Sequence, residues 1–144
     1  MPIDEVMCAS ANPDKVREIE QLLNGVVHLV PRPDGVPDVD ETADTLEGNA
    51  RLKARAIALS ADNVRSLPAV ADDTGLFVDA LPGELGVRTA RYASEDPHHA
   101  VEPYAANRRK LLEALQRQGC RDDSARHAHF LTVVVVARTD GSEL

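Results

Sequence analysis

The segment Leu131-Thr132-Val133-Val134-Val135-Val136 sets four β-branched valines in a row. Their stiff, branched side chains fit a pleated sheet better than a helix, so His127–Arg138 reads as the strongest strand in the chain. Thr139-Asp140-Gly141-Ser142 follows as a hairpin turn signal, and only Glu143 and Leu144 remain after it. The strand that should return is therefore expected to be missing, leaving a possible unpaired edge. One reading is a C-terminal strand paired only on its other side. The other, which we take as the expectation, is a chain cut short relative to its natural fold. Aromatic residues make up 3% of the 144, with no Trp, so Val, Leu, Ile and Ala must build the core.

Upstream, Ile3–Ser10 ends in the apolar run Val6-Met7-Cys8-Ala9 and reads as a buried strand. Asn12 offers an N-cap, and Pro13 suits the first helical position. Asp14–Leu23 then spaces Val16, Ile19, Leu22 and Leu23 as one helical face, closed by Asn24-Gly25. Val26–Val30 is a second short strand, and Arg32–Asp44 a Pro- and acid-rich loop. An Ala-rich helix is expected from near Thr45 to about Asp62. The run Ala69-Val70-Ala71 leads into Asp72-Asp73-Thr74-Gly75, Leu76–Leu81 reads as another strand, and a helix falls between Ala100 and Gln118. Repeats, low-complexity tracts and interdomain linkers are absent, so residues 1–144 read as one incomplete domain.

Hydrophobic residues at 43% and charged residues at 28% are those of a globular protein rather than a disordered one. The formal charge of −8 disfavours direct nucleic-acid binding, which normally needs a basic face, but leaves room for an anionic small ligand in a local positive field. No apolar run approaches the roughly 20 residues that span a bilayer, so no membrane partner is expected. The acidic start Met1-Pro2-Ile3-Asp4-Glu5 lacks the features of a signal peptide. Cys8 and Cys120 stand outside any metal-binding spacing and read as free thiols in a reducing cytoplasm.

Three short constellations carry possible chemistry. Ser10-Ala11-Asn12-Pro13-Asp14-Lys15 joins a strand to a helix N-terminus, where free N–H groups and the helix dipole attract phosphate. Lys15 in the first turn is unfavourable by ~0.3–1 kcal/mol unless an anion offsets it; a solvated lysine on a capped surface helix is the plainer alternative. In Glu41-Thr42 and Thr45-Leu46-Glu47-Gly48-Asn49-Ala50-Arg51-Leu52-Lys53, Asn49 and Lys53 share a helical face. Gly48 either permits close approach of a ligand or is simply tolerated, and Glu41 alone reads as a solvated loop acid. In Ala71-Asp72-Asp73-Thr74-Gly75, successive strand residues point to opposite sides, so at most one acid easily faces a given cleft. Glu41 with one of these acids would suit Mg²⁺, which takes oxygen ligands and bridges to phosphates; an Asp-rich turn is the alternative. His127 and His129 lack a third metal ligand, and His98-His99 reads as solvated. Arg88, Arg91 and the Arg108-Arg109-Lys110 cluster could assist phosphates, but solvation on a helix surface explains the latter cluster well.

In order along the chain, Ala9–Lys15, Glu41-Thr42, Thr45–Ala50 with Lys53-Ala54, Ala71–Gly75, Thr89-Ala90-Arg91-Tyr92-Ala93, Asn107 with Lys110–Leu112, and Arg126–Phe130 resemble the inosine triphosphate pyrophosphatase family of non-canonical purine nucleoside triphosphate pyrophosphatases. The resemblance implies an α/β fold: an elongated, twisted mixed sheet with flanking helices and two lobes around a cleft, here with the C-terminal part missing. It implies Mg²⁺-dependent hydrolysis of dITP, ITP and XTP to the monophosphate and pyrophosphate, in a cytoplasmic homodimer that cleans the nucleotide pool. By the same resemblance, Ser10, Ala11, Asn12 and Lys15 hold the triphosphate, Lys53 neutralises phosphate charge and Thr74 contacts substrate. Glu41 and Asp73 hold Mg²⁺, and Asp73 is also the catalytic base for water. Thr74 and Thr89 replace the commoner serines, and Ser94 a usual glycine. The later F-G-Y-D-P and S-H-R elements have no counterpart. The alternatives are a truncated, non-catalytic nucleotide-binding or dimerising remnant of the family, and a septum-formation-type nucleotide pyrophosphatase.

Overall fold

Aromatic side chains are few in this chain, so the sheet gains its burial from aliphatic side chains on the helices laid on it. The computed structural model describes residues 3–144. Its elements are β1 (Glu5–Cys8), α1 (Pro13–Leu23), β2 (His28–Val30), α2 (Leu46–Ala58), β3 (Ala69–Val78), α3 (Pro103–Arg117) and β4 (Ala128–Ala137), with 3-10 turns at Thr89–Arg91 and Asp123–Ala125. The sheet order is β2-β1-β3-β4, with β1 parallel to both β2 and β3. Asp79 N–H donates to the His127 carbonyl, the Phe77 ring stacks on His129, and the Thr74 and Thr132 hydroxyls are bonded. Numbers rise along β3 as they fall along β4, so this pair is antiparallel and the sheet is mixed. The chain forms two compact units, one of residues up to Asp73 with Val133–Leu144, the other Thr74–Thr132.

In the first unit, strand alternation sorts the core into two layers. Val6, Cys8 and Val70 face α1, where Val16, Ile19 and Leu23 cover them. Met7, Ala69 and Ala71, with Val135 and Ala137, face α2, where Ala50, Ala54, Ile57 and Ala58 are buried. The alanines let α2 lie close to the sheet, in keeping with a core of small side chains. In the second unit, Val78, Leu81, Leu85 and Tyr92 pack with Ala114 and Leu115 of α3.

Several expectations change. Leu22 is 76% exposed; it lies roughly 100° around the helix axis from Leu23 and leaves the face that Val16, Ile19 and Leu23 share. The helix expected to reach Asp62 stops at Ala58. There the buried Asn63 caps it, its amide donating to the Ala58 carbonyl at 2.9 Å and the Leu67 carbonyl at 2.8 Å. Asp72 and Asp73 do not form a turn: β3 runs unbroken through them to Val78. Past β4, as expected, no returning strand forms among the described residues; the last residues make only an isolated antiparallel bridge, Ala137 with Glu143. Gly141 takes φ +85° in the turn, and Val136 and Leu144 exchange two backbone hydrogen bonds of 2.9 Å.

Candidate functional site

Because β3 is continuous, its two adjacent carboxylates emerge on opposite faces of the sheet. Asp72 shares the α1 face with Val70, and its Oδ2 meets Lys15 Nζ at 2.7 Å. Asp73 shares the α2 face with Ala71, and its Oδ1 lies 3.5 Å from Lys53 Nζ. Each acid of the pair is thereby assigned to one lysine. The Asp73 charge also reaches Lys15, so the two lysine–carboxylate pairs share one local field.

The Lys15 side rests on the N-terminus of α1. Asn12 caps the helix, its side-chain oxygen accepting from Asp14 N–H at 3.0 Å, and Ser10 Oγ accepts from Asn12 N–H at 3.1 Å. Ala11 and Asn12 are exposed. The first-turn cation is offset by Asp72 rather than requiring an outside anion. Burial lowers the Lys15 ammonium, but the Asp72 hydrogen bond and charge, helped by Glu18 and Asp73, outweigh it and hold it above the ordinary lysine value. The loop after β2 is tied back to this end of β1 by Arg32, which donates to the carbonyls of Ala9 and Val36.

On the other face, Lys53 Nζ lies 3.1 Å from Glu41 Oε1, so one ammonium bridges the two carboxylates named as metal ligands. Burial pushes the Asp73 carboxyl up; Lys53 opposes this, the Glu41 charge adds to it, and the Asn49 amide pulls down, with a net rise. Asp73 Oδ2 is buried without a hydrogen-bond partner, and so is Asn49 Nδ2. An unmet buried carboxylate oxygen beside a second carboxylate fits a hard cation. Among the described residues no group of three or more His, Cys, Asp or Glu could hold a metal. Two carboxylates, completed by water and phosphate oxygens, are the donor set Mg²⁺ accepts, not the all-protein cage of a structural metal.

Gly48 makes room for the protein's own Ala43 and Thr45 side chains, not for a ligand. A Cβ there would come within 2.6 Å of Ala43 Cβ and 3.0 Å of Thr45 Oγ1. Asn49 is completely buried and accepts from Ala43 N–H at 3.0 Å. Sequence reasoning placed Asn49 beside Lys53 but gave it no role; its zero exposure is invisible in the spacing.

Thr74 belongs to the second unit, where its hydroxyl lies 2.8 Å from that of Thr132. The cations noted there hold their own scaffold. Lys110 donates to the Tyr92 carbonyl at 2.5 Å and sits 4.5 Å above the Tyr92 ring, and Arg109 pairs with Asp96 at 3.2 Å. Arg88 and Arg91 line an open pocket of about 570 Å³ with Glu84, Tyr92 and Ser94. Asn107 spans Ala90 and Ala93, and Thr89 Oγ1 accepts from Leu76 N–H at 2.8 Å, which makes the Thr89–Ala93 element structural in this unit. Cys8 and Cys120 are both buried free thiols.

Known proteins share this fold. The structure of a HAM1 protein from Coxiella burnetii superposes with a TM-score of 0.77 at 34% identity, over 100% of this chain and 68% of that one. The Staphylococcus aureus Ham1 protein gives a TM-score of 0.69 at 31% identity, over 97% of this chain and 66% of that one. A dITP/XTP pyrophosphatase from Chlorobaculum tepidum is 44% identical over 91% of this chain and 58% of its own length. One from Rhodopseudomonas palustris is 36% identical over 95% and 62%. The chain thus spans about 60% of the length of these curated relatives. The model of the Ham1 family matches residues 6–144, nearly the whole chain, and by sequence and fold alike the chain belongs to the Ham1 family.

Proposed function

We propose that the protein hydrolyses non-canonical purine nucleoside triphosphates, dITP, ITP and XTP, to the monophosphate and pyrophosphate in a Mg²⁺-dependent reaction. The observation that carries this is the Glu41, Lys53 and Asp73 cluster, in which a buried carboxylate oxygen has no partner. The dITP/XTP pyrophosphatase relatives support the substrate class.

Ser10, Ala11 and Asn12 present the N-terminus of α1 to the triphosphate, with the Asn12 amide left for the ligand because its oxygen caps the helix. Lys15 exchanges part of its Asp72 pairing for phosphate, and Lys53 neutralises charge on the leaving pyrophosphate. Thr74 offers its hydroxyl to substrate. Glu41 and Asp73 would hold Mg²⁺, which when bound would supply charge stabilisation at phosphate oxygens and lower the cost of deprotonating water. Asp73 takes the proton of the attacking water. The water oxygen bonds to phosphorus as the α–β anhydride breaks, giving monophosphate and pyrophosphate. The protein works as a homodimer in the cytoplasm, consistent with its free thiols; no helix among the described residues is long and apolar enough to cross a membrane.

Pyrophosphate release from dITP, with and without Mg²⁺ and beside dATP, tests this. Mg²⁺-dependent release from dITP and little from dATP is expected. Equal release from both overturns the base preference, and none from either, with the protein folded, overturns the enzymatic reading.

A further inference from the structure

The loop that carries Glu41 has little secondary structure of its own, yet its carboxylate must stay beside Lys53 and Asp73. Two contacts with the first turn of α2 pin it. Thr45, the N-cap, accepts from Gly48 N–H at 3.0 Å, and Ala43 N–H donates to Asn49 Oδ1 at 3.0 Å. Gly48 is what lets this segment close, since any Cβ there would strike Ala43. Asn49 then has one polar group committed and one unspent. Its Nδ2 is buried without a hydrogen-bond partner, and Asp73 Oδ2 is a buried acceptor in the same condition. Buried donors without acceptors are rare in native proteins. Asn49 lies one helical turn before Lys53 on α2, Lys53 Nζ is 3.5 Å from Asp73 Oδ1, and Asp73 shares the α2 face of the sheet with Ala71, so the unmet donor and the unmet acceptor belong to the same buried layer.

We propose that Asn49 is a positioning residue for the metal-binding pair: its Oδ1 holds the Glu41 loop while its Nδ2 donates to one lone pair of Asp73 Oδ2, leaving the other, together with Glu41, for a divalent cation. This rests on the Mg²⁺-dependent reading above and deepens it. Asparagine suits the task because it carries an acceptor and a donor on one short, uncharged side chain. Aspartate would lack the donor and add charge; leucine would lack both groups.

The test measures cation binding without nucleotide. Mn²⁺, a paramagnetic substitute for Mg²⁺, is titrated into the full chain and followed by electron paramagnetic resonance, for the wild type, Asn49→Ala, Asn49→Leu and Gly48→Ala. Tripolyphosphate binding in EDTA is measured beside it as a readout of Lys15, Ser10 and Asn12. Loss of a group that orients a metal ligand costs about 10–100-fold in metal affinity, and that loss is expected in all three variants with tripolyphosphate binding unchanged. Folded Asn49 variants that bind Mn²⁺ like the wild type overturn the proposal. Equal loss of Mn²⁺ and tripolyphosphate binding also overturns it, because a merely structural role would weaken both. Should the Asn49 variants fail to fold, Gly48→Ala applies the same test with the Asn49 side chain intact. A wild type that takes no Mn²⁺ overturns the metal reading itself and this proposal with it, whereas Mn²⁺ binding without nucleotide hydrolysis leaves the role of Asn49 standing.

Discussion

Replacing Lys15 by Met removes the cation from Asp72, which is 9% exposed and held at 2.7 Å. A buried ion pair broken on one side typically costs about 3–5 kcal/mol, because the remaining charge stays buried and unpaired. The Lys15 side chain is 29% exposed, so water reaches the pair from its side. Removing a cation from the first turn of α1 also returns ~0.3–1 kcal/mol. We therefore expect Lys15→Met to cost about 2–3 kcal/mol in urea unfolding at pH 7. Asp72→Leu should cost less, since Lys15 can extend its ammonium into solvent. The double variant, with two apolar side chains in place of the pair, should be more stable than the sum of the single losses predicts. The pH dependence has a definite sign. Lys15 binds its proton more tightly in the folded protein, so the pair's contribution is complete below the ordinary lysine value and fades as pH rises through the raised one. The stability gap between wild type and Lys15→Met should narrow only in strongly alkaline solution. A loss below about 0.5 kcal/mol, the size of an ordinary surface change, or strict additivity in the double variant, would refute the reasoning.

The Asp73 carboxyl is raised, so its charged form is disfavoured by folding: stability falls as pH rises from the unfolded carboxylate value to the raised one, and the penalty persists above it. Asp73→Asn should therefore melt higher than the wild type at pH 7 by calorimetry while losing Mg²⁺-dependent pyrophosphate release; a lower melting temperature would contradict the sign. Tyr92 is pushed up to about 12 by burial and by its hydrogen bond to Glu84, so spectrophotometric titration should show a tyrosine ionising near that value that disappears in Tyr92→Phe. Ile57 is 1% exposed in the α2 layer, and Ile57→Ala should lower unfolding stability by about 2–5 kcal/mol. A smaller loss in urea would mean that the alanine-lined layer closes over the cavity.

Local chemistry was legible along the chain wherever one residue's neighbours in sequence are also its neighbours in space. Asn12 and Pro13 open α1, Thr45 caps α2, and the valine run forms β4. The opposite orientation of Asp72 and Asp73 follows from strand alternation alone. The extent of β3 did not follow, because paired acids resemble a turn until a lysine is placed against each. Leu22 looked like a core residue because the apolar pattern allows two registers, and only packing on the sheet chose Val16, Ile19 and Leu23. Gly48 looked like a gap for a ligand, yet the space belongs to Ala43 five residues earlier. Asn63 and Glu143 gave no signal at all. The first caps α2 through carbonyls on both sides of a turn, and the second reaches Arg51 at 2.7 Å and Arg55 at 2.6 Å across the fold.

The sequence by itself thus determined where the main elements lie, the N-caps of α1 and α2 and the identity of the chemical groups, since these depend on backbone preferences and side-chain type over a few residues. The tertiary structure decided the pairings: Lys15 with Asp72, Lys53 with Glu41 and Asp73, and the Glu41 loop with Asn49. Charge attraction and desolvation depend on distance and burial. For residues twenty or more positions apart, as Lys53 and Asp73 are, both are set only when the sheet and its two helix layers come together.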